Sequence, residues 1–301
     1  MSRLTLSGIS RLWHATACAA GGALLSLAAS AAIAIPEGKG VITFRDARGH
    51  ADRELTVHTY RPARCDARCP LQFVLHGVSR NAQGYRDYWV EAAERHGFVV
   101  VAPLFTREAW GGAAAYNLGG VDATDERSRW AFAAIEHLFD EIADGRKEYR
   151  LFGHSAGGQF VHRFLYFVPN NRVSVAVAAN AGWYTTPEWR KDNVAFPWPH
   201  SLAQAKVGEK EARRALGQRL VVMLGDADTD PNAQDLDRSP GSLAQGANRL
   251  ERGRYFHRVS SALARDINAD FRWDLAIVPG VAHSGRRMSA AAAEHLYGAV
   301  K

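Results

Sequence analysis

Gly153-His154-Ser155-Ala156-Gly157 sets a serine between two glycines. It directly follows the expected strand 149–152. It directly precedes 156–168, where Phe160, Phe164 and Val168 share one helical face. Gly-x-Ser-x-Gly in that strand–turn–helix setting is what a nucleophile elbow requires. Glycines allow a turn in which Cβ atoms would clash, and the turn pushes the Ser155 hydroxyl out at the C-terminal edge of a sheet. The helix start behind it offers free backbone N–H groups to a developing negative charge. The chemistry implied is nucleophilic attack on an acyl group.

A serine hydroxyl is a weak nucleophile, so a base must take its proton and an acid must orient that base. On an elbow of this kind the chain order is serine, acid, histidine. His283 follows the expected strand 272–278 through Pro279-Gly280, and it alone of the twelve histidines has that placement. His154 adjoins the serine, but its position in the preceding turn predicts a ring that faces away. The acid is expected just beyond the run 219–224, where the chain reads Gly225-Asp226-Ala227-Asp228-Thr229-Asp230. Asp228 is preferred, with Asp226 and Asp230 as open alternatives. His76-Gly77-Val78 follows another short apolar run, so the Val78 N–H is expected to join that of Ala156 in holding an oxyanion. The acidic stretch also mimics a calcium loop. However, Pro231 stands where that loop needs glycine and Asp237 where it needs glutamate. No metal or cofactor motif is present elsewhere, and none is expected to be needed.

The elements that must hold these residues read as alternating strands and helices. Strands are expected at 41–46, 54–60, 71–75, 98–102, 149–152, 173–179, 219–224 and 272–278. Helices are expected at 85–96, 124–143 (capped by Thr124), 156–168, 201–216, 242–268 and 288–300, the last with Ser289 near its start. The continuous apolar runs, such as 98–102, suit strands buried on both faces. The pattern predicts an α/β fold with a mostly parallel central sheet, helices on both faces and no large cap domain.

The chain has 301 residues, of which 47% are hydrophobic and 23% charged, a composition that excludes a mainly disordered chain or a coiled coil. Three cysteines exclude a four-cysteine zinc site. Arg3 and Arg11 precede an uncharged Ala- and Leu-rich stretch ending Ala32-Ile33-Ala34. That is the pattern of an export signal cleaved after residue 34, which leaves 35–301 as the catalytic domain. Cys18 lies too early to be a lipoprotein cysteine. Export predicts a secreted or periplasmic protein with no stable membrane association, in which Cys65 and Cys69 pair. The formal charge of +6 is spread along the chain, and no nucleic-acid recognition motif accompanies it.

With His76-Gly77, the Gly153–Gly157 motif, Asp228 and His283 in this order, the chain resembles the α/β-hydrolase superfamily. Within it, Val78-Ser79-Arg80-Asn81 and Asn180-Ala-Gly-Trp-Tyr184 are similar to the secreted depolymerase-like branch. That branch includes poly(3-hydroxybutyrate) depolymerases, feruloyl esterases and poly(aspartic acid) hydrolases. The resemblance spans essentially 41–300. It implies Ser155 as nucleophile, His283 as base and acid, and Asp228 as orienter, and it leaves the substrate open.

Two features address the substrate. Arg80, Arg107, Arg286 and Arg287 belong to loops at the C-terminal edge of the sheet, where guanidinium groups would grip carboxylates. They point to an anionic polymer, with poly(aspartic acid) as the sharpest example. Trp183 and Tyr184, with Trp110, Trp189 and Trp198 on the two longest excursions, would instead suit a polyester, a feruloyl ester or a short acyl ester. A non-catalytic binding protein that kept the fold is the third expectation.

Overall fold

The computed structural model describes Met1 and residues 32–298, and in it the apolar runs become one sheet covered on both faces. The expected export signal therefore lies almost wholly outside the described residues. The strands are β1 (Gly38–Arg45), β2 (Glu54–Arg61), β3 (Leu71–Leu75), β4 (Val99–Leu104), β5 (Tyr149–His154), β6 (Val173–Ala179), β7 (Leu220–Gly225) and β8 (Trp273–Val278). They lie in the order β1-β2-β4-β3-β5-β6-β7-β8. The β1–β2 and β2–β4 pairs are antiparallel, and every pair from β4 to β8 is parallel.

Alternation along each strand sends neighbours to opposite faces. Phe73, Val99, Val101, Val222 and Leu224 join one apolar cluster, while Val74, Val100, Val221 and Met223 join the other. This is why these strands read as unbroken apolar runs. The helices are α1 (Ala82–Asp87), α2 (Val90–His96), α3 (Gly112–Ala115), α4 (Ala131–Ile142), α5 (Ala156–Phe167), α6 (Glu209–Leu216), α7 (Pro240–Gln245), α8 (Arg249–Asp266) and α9 (Gly285–Tyr297). Helices α4, α5, α6 and α8 supply the first cluster, and α1, α2 and α9 the second.

Five helix expectations need correction. The helix expected at 85–96 starts earlier, at an Asn81 cap, and breaks at Tyr88–Trp89, where the wholly buried Trp89 turns in against Phe98 and Phe152. Thr124 caps no helix: it is extended, and its hydroxyl accepts from Glu126 N in a local turn, so α4 begins only at Ala131. Residues 201–208 are not helical. The stretch 242–268 is two helices, parted at Gly246 (φ +150°) and restarted by the Asn248 cap. The final helix begins at Gly285 with Ser284 as its cap, leaving Ser289 buried inside it. Cys65 and Cys69 are disulfide-bonded, with Cα atoms 5.5 Å apart, in the loop that enters β3. Among the described residues no helix is long and apolar enough to cross a membrane.

Three histidines are built into this core as neutral rings. His76 Nδ1 donates to Gly77 O, and its Nε2 accepts from Phe105 N. His162 Nδ1 donates to Gly158 O, and its Nε2 accepts from Thr185 N. Burial pushes His76 down to about 3 and holds His154 and His162 well below the ordinary histidine range. An unfolded chain binds these protons near pH 6.5, whereas the folded chain does not. Stability is therefore complete above that value and falls as pH drops, by about 1.4 kcal/mol per pH unit for each ring. Urea unfolding between pH 7 and pH 4.5 is expected to show this steep acid loss. Replacing His162 with Gln is expected to make the slope shallower.

Candidate active site

The elbow is held by backbone crowding. β5 ends at His154, α5 begins at Ala156, and Ser155 between them takes φ +59°, ψ −117°. A Cβ on Gly153 would sit 2.2 Å from Gly157 O, and one on Gly157 would sit 2.3 Å from Leu75 O. Both glycines are thus required by contact with main chain that cannot move aside. Gly157→Ala is expected to cost about 3 kcal/mol or more of stability and most turnover. Chemical denaturation alongside an ester assay checks it. The Ser155 amide is pinned to Ala179 O at 2.9 Å, tying the elbow to the next strand.

Ser155 Oγ lies 3.0 Å from His283 Nε2, and His283 Nδ1 lies 2.7 Å from Asp228 Oδ2. Of the three candidate carboxylates, Asp228 is the one that meets His283. Asp226 accepts from Gly280 N and Asp230 from Asn232 N, and both are exposed. Asn180, the first residue of the branch-like stretch 180–184 and given no role by the sequence, aligns the two loops. Buried at φ +43° after β6, it accepts from Gly225 N and donates to Ala282 O. It thereby bridges the residues that lead into Asp228 and His283.

The His154 ring does not face away. Its centroid is 4.6 Å from that of His283, and its Nδ1 accepts from the Tyr85 hydroxyl at 2.7 Å. The reason is the α9 entry. Gly285 passes so close that a Cβ there would meet Tyr85 Oη at 2.7 Å and His154 Nδ1 at 3.3 Å, which folds the His283 loop over the ring. Burial, then the charge of His283, keeps His154 neutral.

Ser155 opens into a cavity of about 280 Å³, whose wall includes Val78, Ala156, Gln159, Trp183, Leu236 and Arg249. Ala156 is the first residue of α5, so its N–H has no intrahelical acceptor. Gln159, one turn beyond Ser155 on the same helix, was findable from helical period. Asn117 and residues 234–237 carry no local signal. Beneath the wall lies Arg163, wholly buried and with no carboxylate partner among the described residues. Burial pushes it down to about 9. It donates to Asn117 O, Gln159 Oε1 and Thr185 Oγ1, and its guanidinium lies 4.2 Å over the Trp183 ring. Arg163 therefore fixes three residues of the cavity wall at once.

The other expected contacts divide. Arg80 is not a free grip. Its guanidinium donates to Phe105 O, Trp110 O and Gly112 O and lies 4.3 Å over Tyr116, because the 104–112 loop needs those carbonyls satisfied. Tyr184 is buried against Phe256 and lines no part of the cavity. Trp110 is likewise buried, between Phe105 and His50, while Trp198 packs on Phe167 and Trp189 borders a separate groove. Arg107, Arg286 and Arg287 are exposed, but Arg286 and Arg287 are not on a loop, because the Ser284 cap starts α9 at Gly285 and places both in its first turn. Arg107 touches Val78 O, Arg287 touches Gly280 O, and Arg286 lies over Tyr88. Among the described residues no group of three His, Cys, Asp or Glu side chains is placed to hold a metal ion.

A mostly parallel eight-stranded sheet, with a serine on a strand–helix elbow and a histidine beyond the last strand, is the architecture of the α/β-hydrolase superfamily. The chain belongs to that superfamily and is a hydrolase of ester or amide bonds. Among solved structures it is similar to poly(aspartic acid) hydrolase-1 from Sphingomonas sp. KT-1, with 37% identity, a TM-score of 0.79, and coverage of 86% of this chain and 98% of that one. It is also similar to a poly(3-hydroxybutyrate) depolymerase from Bordetella parapertussis, with 33% identity, a TM-score of 0.80, and coverage of 86% and 89%. A siderophore hydrolase from Aspergillus nidulans, at 15% identity, a TM-score of 0.52, and coverage of 88% and 96%, shares the fold alone. No protein-family model and no curated protein sequence matches the chain.

Proposed function

We propose that the chain is an exported serine hydrolase that shortens a carboxylate-rich polymer, with the amide bonds of poly(aspartic acid) as the best-fitting target. The observation that carries this reading is the continuous Ser155–His283–Asp228 hydrogen-bonded chain at the mouth of an open cavity. The exposed Arg107, on a loop, and Arg286 and Arg287, in the first turn of α9, supply positive charge. The identity to poly(aspartic acid) hydrolase-1 supports the same substrate class.

In this account His283 Nε2 takes the Ser155 proton as Oγ attacks the scissile carbonyl. The N–H groups of Val78 and Ala156 hold the resulting oxyanion, and Asp228 steadies the imidazolium. His283 then gives its proton to the leaving amine. The acyl-enzyme is hydrolysed by a water that His283 activates in the same way. The catalytic serine needs no metal or cofactor for these steps.

The ester reading has an observation of its own. The cavity wall offers Trp183, Val78 and Leu236, together with the carboxylates of Asp235 and Asp237, which suit an uncharged acyl group better than an anionic one. Chain-length analysis of poly(aspartic acid) separates the two, run at low and high salt with Ser155→Ala as the blank. Serine-dependent shortening that weakens several-fold with salt is expected. An unchanged polymer with intact turnover of poly(3-hydroxybutyrate) or acyl esters would replace the first reading with the second.

A further inference from the structure

Arg249 is an arginine inside the cavity that the mechanism does not use. It stands at the first position of α8, only 2% exposed, and is the one cation among the described residues lining the cavity. Its NH2 meets Asp235 Oδ1 at 2.6 Å, while its NH1 makes only a long 3.5 Å contact to Asp228 Oδ1. Its Nε has no partner among the described residues. Asp235 is different in kind. Its side chain is 45% exposed, and it stands on the irregular segment between β7 and α7. One partner is locked in place and the other is free to turn out to water.

We propose that Arg249 is a carboxylate-binding subsite for the acyl portion of the substrate, and that Asp235 occupies it as a placeholder in the free enzyme. This rests on the Ser155-centred reading above and names the group that the cavity selects. A carboxylate entering the cavity alone would carry a desolvated charge past Asp235 and Asp237, which is costly. Exchange with Asp235 avoids that cost. One carboxylate leaves Arg249 for water as another arrives, so the charge beside Arg249 and Asp228 is unchanged. Planar pairing by two guanidinium nitrogens would then orient the acyl group relative to Ser155. Asp237 cannot play this part, because its carboxylate is held by Ser239 N at 2.9 Å and it makes no contact with Arg249.

The test compares kcat/KM for monoethyl succinate and for ethyl 4-methylpentanoate, in which an isopropyl group replaces the carboxylate. Asp235→Asn is expected to raise the anionic-to-neutral ratio about tenfold. Asp237→Asn, which removes the same charge from the same wall, is expected to move it less than twofold. Adding Arg249→Gln to Asp235→Asn is expected to bring the ratio below that of the unaltered chain. Equal rises in both single variants would overturn the proposal, reducing the effect to diffuse charge. A loss of turnover on both esters alike in Asp235→Asn would also overturn it, making Asp235 only a counter-charge to the buried Arg249. Both probes are small esters, so the ratio is read whether or not poly(aspartic acid) is cleaved. Inertness of the unaltered chain toward both would instead count against the hydrolytic site itself.

Discussion

Replacing Ser155 with alanine is expected to lower kcat by about 10⁴- to 10⁶-fold, with little change in KM. The size follows from what else lines the cavity. Among its described wall residues Ser155 is the only hydroxyl, and there is no cysteine or lysine to stand in. His283 would keep its bond to Asp228 but would face a methyl group, so the general base would have no proton to take. The backbone donors of Val78 and Ala156 would remain, which leaves residual acceleration over water and not full wild-type chemistry. The side chain is small and its backbone is held through Ala179 O, so the thermal midpoint is expected to stay within a few degrees. Steady-state kinetics on an acyl ester, with circular dichroism of both proteins, checks both halves.

Asp228→Asn is expected to cost about 10⁴-fold in kcat, the second largest effect. Asp228 Oδ2 accepts from His283 Nδ1, and that fixes the tautomer in which Nε2 is free to take the serine proton. An asparagine amide can turn its NH2 toward Nδ1 and stabilise the other tautomer, which presents an N–H to Ser155. It would also leave the buried Arg249 with Asp235 as its sole ionic partner. Asp230→Asn, on an exposed side chain that caps only its own turn, is expected to stay within about threefold of the unaltered chain. Kinetics of the two variants side by side separates an orienting carboxylate from a general effect of charge on this acidic loop.

What the sequence made legible follows from how local each signal is. The buried strands were readable because residues such as 99–102 are apolar on both faces, and only a sheet covered on two sides uses such a run. The elbow was readable because the Gly-x-Ser-x-Gly spacing is local, although Gly153 answers to nearby Gly157 O and Gly157 to the distant Leu75 O of β3. Helix ends were less so. Trp89 and Gly246 break helices whose polar–apolar pattern runs on, and it is tertiary burial and a positive φ that decide there.

The site divides in the same way. The preference for Asp228 over its neighbours rested on a count of residues. The separation actually comes from Gly280 taking Asp226, a contact across 54 positions. Arg80 and Tyr184 lie on the right loops but face inward, and a sequence does not say which loop arginine must satisfy buried carbonyls. Arg249 and residues 234–237 had no motif at all, because the cavity wall is assembled from β7–α7 and the start of α8 only once the sheet is built.

The most direct test of the central claim is covalent. The purified chain would be treated with a fluorophosphonate that traps activated serines, and the adduct located by peptide mass spectrometry. The account predicts one adduct, on Ser155, formed in step with loss of esterase activity, absent in His283→Ala and slowed in Asp228→Asn. An adduct on another residue, or full inhibition with Ser155 unmodified, would contradict it.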